Sequence, residues 1–333
     1  MCIGEKCNKF ISLSSHGVPD EGHIGDTEWL NRIHIPCSNS IINPNMYINT
    51  PSKGLHYIKN MAHGSFGYID IAERTVGNEK RRVFVKRPII PGKSLLKEAC
   101  IQKIVIESLE KGGFPTGAPR MLDIFRLSDN SVCFSMDILK DTITLQEYLS
   151  KLGDDELTGF IIDCIIQLCA MLWWLHEDIG MNHRDLKPSN ILIRKHAAIT
   201  KNLKIGDVSL NIMSSFSVSF IDFGFSCIGN EKNQVSDLAI GSIYSANDPC
   251  PKDGRDIYYF IASLYAELYK RLSKDIIMLF ETWLAIPGSN LLSILRKHGT
   301  NAQEWIYYLT GNIAIRQFTL CCPVNIVKDL RAL

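Results

Sequence analysis

The chain has 333 residues with 36 Lys and Arg against 35 Asp and Glu, a net charge of +1, so neither nucleic acid nor an anionic membrane is expected as its main partner. Hydrophobic residues make up 46% of it, which excludes a mostly disordered protein, and the length allows two lobes with separate cores. The eleven cysteines are scattered and odd in number, so reduced thiols and a cytoplasmic location are expected.

Residues 1–55 read as an N-terminal extension, rich in Asn, Ser, Gly and Pro and without long periodic segments. Met1 to Leu13 lacks the unbroken apolar core of a signal peptide, because Glu5, Lys6, Asn8 and Lys9 interrupt it. His16, His23, His34, Cys2, Cys7 and Cys37 fall at irregular spacings that do not suit a metal site.

Residues 56–139 are strand-rich, with one helix near 95–109. In the segment Met61 to Ile69, Gly64 and Gly67 let backbone N–H groups approach phosphate oxygens. Ala62 keeps its N–H but lacks a glycine's easy access to positive φ, and Phe66 stands at the tip of the turn. Val83-Phe84-Val85-Lys86 alternates as a strand does and ends on a lysine. In the helix that follows, Glu98 lies on the same side as Ile101 and Val105, so it is expected to point inward, with Glu107 as the second candidate. Ser131 to Leu139 reads as a further strand and its exit.

From 140 to 333 the chain becomes mainly helical, which makes the class α+β. Phe160 to Leu175 is the most apolar run, but Asp163 and Gln167 interrupt it and it falls short of the roughly 20 residues needed to span a bilayer, so a core helix is expected. His183-Arg184-Asp185-Leu186-Lys187-Pro188-Ser189-Asn190 then places a potential base, a cation and a metal-binding amide on one short loop, which suits phosphoryl transfer. A chance match to this octapeptide at a given start is on the order of one in a billion. Arg194 to Ser217 is expected to form an extended hairpin or surface loop. Ser219-Phe220-Ile221-Asp222-Phe223-Gly224 is strand-like and delivers the Asp222 carboxylate at a strand end, where a hard cation could use it.

These segments, in this order, resemble the eukaryotic-type protein kinases, and the octapeptide resembles their catalytic loop. The resemblance implies a two-lobed fold, with a small β-rich N-lobe over 56–139 and a mainly helical C-lobe over 140–333. It implies that Asp185 orients the acceptor hydroxyl and that Lys187 supports the transferring phosphate, as in serine/threonine kinases. Lys86, positioned by Glu98, would hold the α and β phosphates. Ala62, Gly64, Phe66, Gly67 and Ile69 would cover the nucleotide, while Met136, Asp137 and Leu139 would line the adenine pocket and hinge. Asn190 and Asp222 would hold the metal ions. The cofactors implied are ATP and Mg2+, with Mn2+ as an alternative, and the partners are protein substrates rather than nucleic acid or membrane.

Three departures from the family pattern stand out. Arg194 to Ser217 exceeds the usual connection by about twenty residues. After Gly241-Ser242-Ile243-Tyr244, which is similar to the family's substrate-docking loop, no Ala-Pro-Glu appears, and Ala246-Asn247-Asp248-Pro249 is a poor substitute. Asp256 to Phe260 resembles the start of the family's central buried helix, whose Asp fixes the catalytic loop, but little chain remains before Leu333, so a shortened C-terminal helical region is expected. Such divergence is similar to that of kinases of large DNA viruses, for which host cytoplasm would be the location, and a fast-evolving cellular kinase would look the same. Arg184 has two readings: it could pair with a phosphate on Ser226, Ser236 or Ser242, or it could hold the loop through backbone carbonyls. The other functions open to this chain are a nucleotide-binding scaffold without turnover and a kinase-like enzyme acting on a small molecule.

Overall fold

The computed structural model describes residues 54–63, 67–127, 129–229, 234–236 and 248–332. Nearly all of the N-terminal extension, Gly64, Phe66, Ser242 and most of the segment from 230 to 247 lie outside the described residues. The described chain forms two compact units, one made of residues 54–106 and Pro119–Leu139, the other of Glu107–Ala118 and residues 140–332. The class is α+β, with a β-rich first unit and a mainly helical second one.

In the first unit, strands β1 (Leu55–His63), β2 (Gly67–Val76), β3 (Glu79–Pro88), β4 (Met121–Arg126) and β5 (Val132–Asp137) form one sheet in the order β1-β2-β3-β5-β4. All four pairings are antiparallel. Alternation in β3 sends Val83 and Val85 into a core with Leu55, Ala72, Phe125, Leu127 and Cys133. Helix α1 (Leu96–Lys111) buries Ala99, Ile101 and Val105 completely.

The second unit is threaded by its longest helix, α3 (Asp154–Ile179), which follows β6 (Thr142–Thr144) and α2 (Leu145–Lys151). The Thr144 hydroxyl caps α2 by accepting from the Glu147 N–H at 3.1 Å. At 26 residues α3 is longer than its apolar run suggested, and by length and composition alone it could cross a membrane. Its apolar side chains, from Leu157 through Ile165 to Ile179, are instead buried within the unit. It ends at Gly180, whose φ of +61° gives the left-handed C-cap and whose N–H bonds back to His176.

The chain then passes β7 (Met181–Asn182) and a 3-10 turn (Pro188–Asn190) into β8 (Ile191–Ile205) and β9 (Val208–Phe220). These two strands form the extended hairpin expected over 194–217, paired from Ile191 with Phe220 to Ile205 with Val208. It is anchored, because its Gly206 turn packs so closely that a Cβ there would come within 2.8 Å of Val324 Cγ2. Val324 belongs to the last helix, α8 (Pro323–Arg331), which also packs on α3. Short strands β10 (Cys227–Gly229) and β11 (Gln234–Ser236) extend from β7.

Helices α4 (Arg255–Leu268), α5 (Lys274–Trp283), α6 (Leu291–His298) and α7 (Gln303–Thr310) complete the unit, with α4 central and almost wholly buried. The expectation of reduced cysteines fails at one pair, since Cys227 and Cys250 form a disulfide across a Cα separation of 6.2 Å. Among the described cysteines, Cys100, Cys133, Cys164, Cys169, Cys321 and Cys322 are free.

Candidate active site

The sequence-predicted residues fall into two groups, one in each unit. In the first, Lys86 near the end of β3 donates to the Glu98 carboxylate in the first turn of α1, at 2.5 Å. Both side chains are nearly inaccessible, and the ion pair offsets part of the cost of burying the two charges. Glu107, the other candidate, is half-buried on the end of α1 that belongs to the second unit.

Ile69 pairs with both Ala62 on β1 and Lys86 on β3, which places these three residues side by side on adjacent strands. Gly67 opens β2, and a Cβ there would lie 3.1 Å from the Arg87 carbonyl oxygen and 3.2 Å from Lys86 Cε, so glycine is what admits the lysine stem. Met136 is buried on β5 with its sulfur 3.5 Å from Gln102 Nε2. The backbone N–H of Asp137 donates to the Arg120 carbonyl, while its carboxylate meets Arg81 at 3.1 Å. Leu139, two residues on, is half-buried.

In the second unit, the Asp256 carboxylate at the start of α4 organises the loop. Its oxygens accept from the N–H groups of His183 and Arg184, each at 2.8 Å, and from Asn182 Nδ2 at 3.2 Å. Arg184 is thereby held at a φ of +66°, a conformation uncommon outside glycine. Asp185 follows, its Oδ2 accepting from Lys187 Nζ at 3.0 Å and from Asn190 Nδ2 at 2.9 Å. The 3-10 turn begun by Pro188 curls Asn190 back beneath Asp185, whose carbonyl also accepts from the same amide.

Asp222 leaves β9 at a φ of +64° with its side chain exposed. The Ile221 N–H donates to the Asn190 carbonyl at 3.0 Å, so the two residues proposed to hold metal sit on hydrogen-bonded segments. Because the Asn190 amide nitrogen serves Asp185, its oxygen is the atom that could meet a cation. An amide oxygen plus a carboxylate is a fitting set for Mg2+, which usually takes one or two protein ligands and fills its remaining positions with water and phosphate. Among the described residues no group of three or more His, Cys, Asp or Glu could hold a metal. Phe223 is fully buried, its ring 5.2 Å from that of His183, and His183 Nε2 lies 3.0 Å from the Ile221 carbonyl.

Two features were not legible in the sequence. Asp248, set aside above as part of a poor substitute, is fully buried and meets three cations: Lys252 at 2.6 Å, Arg255 at 2.6 Å and Arg184 at 3.2 Å. The Lys252 ammonium is pushed down to about 8 by burial and by Arg255, although Asp248 opposes the shift. Arg184 thus reaches a carboxylate and a backbone carbonyl of the same residue. Ser226 is buried and donates to the His183 carbonyl at 3.3 Å, while the side chain of Ser236 and all of Ser242 lie outside the described residues. The second feature is Tyr307 on α7, whose hydroxyl donates to Asp185 Oδ1. No spacing rule connects it to the loop.

No family model matches the chain. Over 208 residues, 61% of its length, it is 26% identical to a probable serine/threonine-protein kinase of Dictyostelium discoideum. It spans 42% of that relative's length. A crystal structure of a kinase domain aligns with 90% of this chain and 98% of its own at 15% identity and a TM-score of 0.41.

Proposed function

We propose that this chain, a divergent member of the protein-kinase superfamily, transfers the γ-phosphoryl group of ATP to serine or threonine hydroxyls of protein substrates. The observation that carries this reading is the loop itself. Asp256 fixes its backbone, and Lys187 and Asn190 converge on one oxygen of Asp185. An aspartate so held is pre-oriented to accept the hydrogen bond of an incoming hydroxyl, and orientation is most of what a protein adds to phosphoryl transfer.

Lys187, 3.0 Å from Asp185, would supply positive charge beside an acceptor, and its likeness to the lysine of serine/threonine kinases is what favours Ser and Thr over Tyr. Lys86 would bind the α and β phosphates with Glu98 keeping its ammonium in place. Asn190 and Asp222 would hold Mg2+, which when bound neutralises the phosphate charge.

The test is label transfer from γ-labelled ATP to a protein mixture and to the chain itself, comparing wild type with Asp185→Ala and Lys86→Ala. Wild-type labelling of serine and threonine that both substitutions abolish is the expected result. If the wild type labels no more than the variants, the activity is absent; nucleotide binding without turnover would then mark a scaffold, and labelling confined to small molecules would move the acceptor class.

A further inference from the structure

Asp185 has two carboxylate oxygens, and the fold occupies both. Oδ2 takes Lys187 and Asn190, while Oδ1 takes the phenol of Tyr307. A phenol donating to this oxygen makes the same contact that an acceptor hydroxyl makes on a base. We propose that Tyr307 is a resident occupant of the acceptor position, which a substrate hydroxyl must displace and which thereby sets the threshold for substrate entry. This rests on the kinase reading of Asp185 given above.

The surroundings of Tyr307 argue that the contact is built into the fold. Its ring lies 5.0 Å from that of Tyr259 and 6.0 Å from that of Phe225, so it packs within an aromatic cluster. Tyr259 in turn accepts from Gln303 Nε2 at 3.0 Å, one turn before Tyr307 on the same helix. Ile306 and Thr310 of α7 are fully buried.

The C-terminal end of α7 is fastened as well. The Thr310 carbonyl accepts from Lys252 Nζ at 3.0 Å and Arg255 Nη2 at 3.1 Å, the two cations that bind Asp248. The backbone of α7 is therefore fixed, which leaves rotation of the Tyr307 side chain as the movement by which a substrate hydroxyl displaces it. Displacement nevertheless leaves Asp185 compensated, since Lys187 and Asn190 remain on the other oxygen and the incoming hydroxyl restores the lost donor.

The experiment compares wild type, Tyr307→Phe and Tyr307→Leu in steady-state transfer from γ-labelled ATP to a degenerate pool of Ser- and Thr-containing peptides, with Asp185→Asn as the inactive reference. A hydrogen bond to a charged group is worth enough that its removal should lower the KM for peptide on the order of 10-fold, with the KM for ATP unchanged. Tyr307→Phe retains the ring contacts, and Tyr307→Leu must move the peptide KM in the same direction. If Tyr307 only buttresses Asp185, Tyr307→Phe lowers kcat and leaves the peptide KM where it was, which overturns the proposal while the kinase reading stands. Label recovered on Tyr307 itself overturns it too, because the phenol would then be an acceptor. Absence of transfer from wild type and both variants removes the kinase reading and this proposal together.

Discussion

Replacing Lys86 by Met isolates the energetics of the buried pair from its chemistry. The ammonium and the Glu98 carboxylate are 2.5 Å apart, with side-chain exposures of 7% and 3%. Methionine keeps the volume and removes the charge, so the carboxylate is left in a site without its cation. Breaking a buried ion pair from one side costs about 3–5 kcal/mol, whereas replacing both partners by apolar groups is often neutral or stabilising. Lys86→Met should therefore speed amide exchange in β3 and α1 by about a hundredfold or more, at 1.36 kcal/mol per factor of ten. Lys86→Met/Glu98→Leu should recover most of that protection and still transfer no phosphate. Hydrogen exchange read by mass spectrometry on peptides covering 79–111 measures both variants. Exchange in the single variant within about threefold of wild type would refute the reasoning, because it would mean the carboxylate finds water or a second cation as readily as Lys86.

Asp256→Asn keeps the shape but presents an amide NH2 towards backbone donors, and each hydrogen bond to the charged group is worth about 1.5–3 kcal/mol. It should reduce kcat by tenfold or more without altering the KM for ATP, as steady-state kinetics would show. Lys252 gives a pH dependence: its folded value of about 8 lies below the ordinary 10.5, so at neutral pH it is charged in both states and the full burial penalty applies. As pH rises from 8 towards 10.5 the folded state releases the proton first, so this group should add up to about 3 kcal/mol of stability, and Lys252→Met should flatten that part of the melting profile. Gly254 caps α4 at a φ of +72°, and a Cβ there would lie 2.3 Å from the Phe318 carbonyl oxygen. Gly254→Ala should lose at least the 1–2 kcal/mol of the left-handed conformation, roughly, and lower the melting temperature of the helical unit.

What could be read in advance was local chemistry. The octapeptide carries Asp185, Lys187 and Asn190 within a few residues of one another, so much of the geometry seen around Asp185 is local in sequence. Lys86 and Glu98 were paired through the resemblance to the kinase family, although they lie closer in sequence than is usual there, and helical periodicity added only the side of α1 on which Glu98 sits. Contacts made by distant helices left no such trace. Tyr307 lies 122 residues from Asp185, in a helix whose own pattern says only which face is apolar. Asp248 was weighed only as part of a poor substitute for Ala-Pro-Glu, and nothing in the order of residues announces the cations that meet it. Only the folded chain shows Arg184, Lys252 and Arg255 gathered on it. The disulfide was missed for the same reason: a separation of 23 residues carries no motif.

The hairpin formed by β8 and β9 ties two distant parts of the chain together. Its Gly206 turn is seated against Val324, and Lys328 reaches Asp207 at 3.1 Å, so a segment that begins beside the Asp185 loop packs on α8. The inner residues Leu203, Ile205 and Val208 on one side, and Ile326, Val327 and Leu330 on the other, are all shielded from water. Removing the hairpin turn or α8 alone would bare apolar surface suited to capturing a second molecule, so the hairpin and α8 depend on each other within the fold.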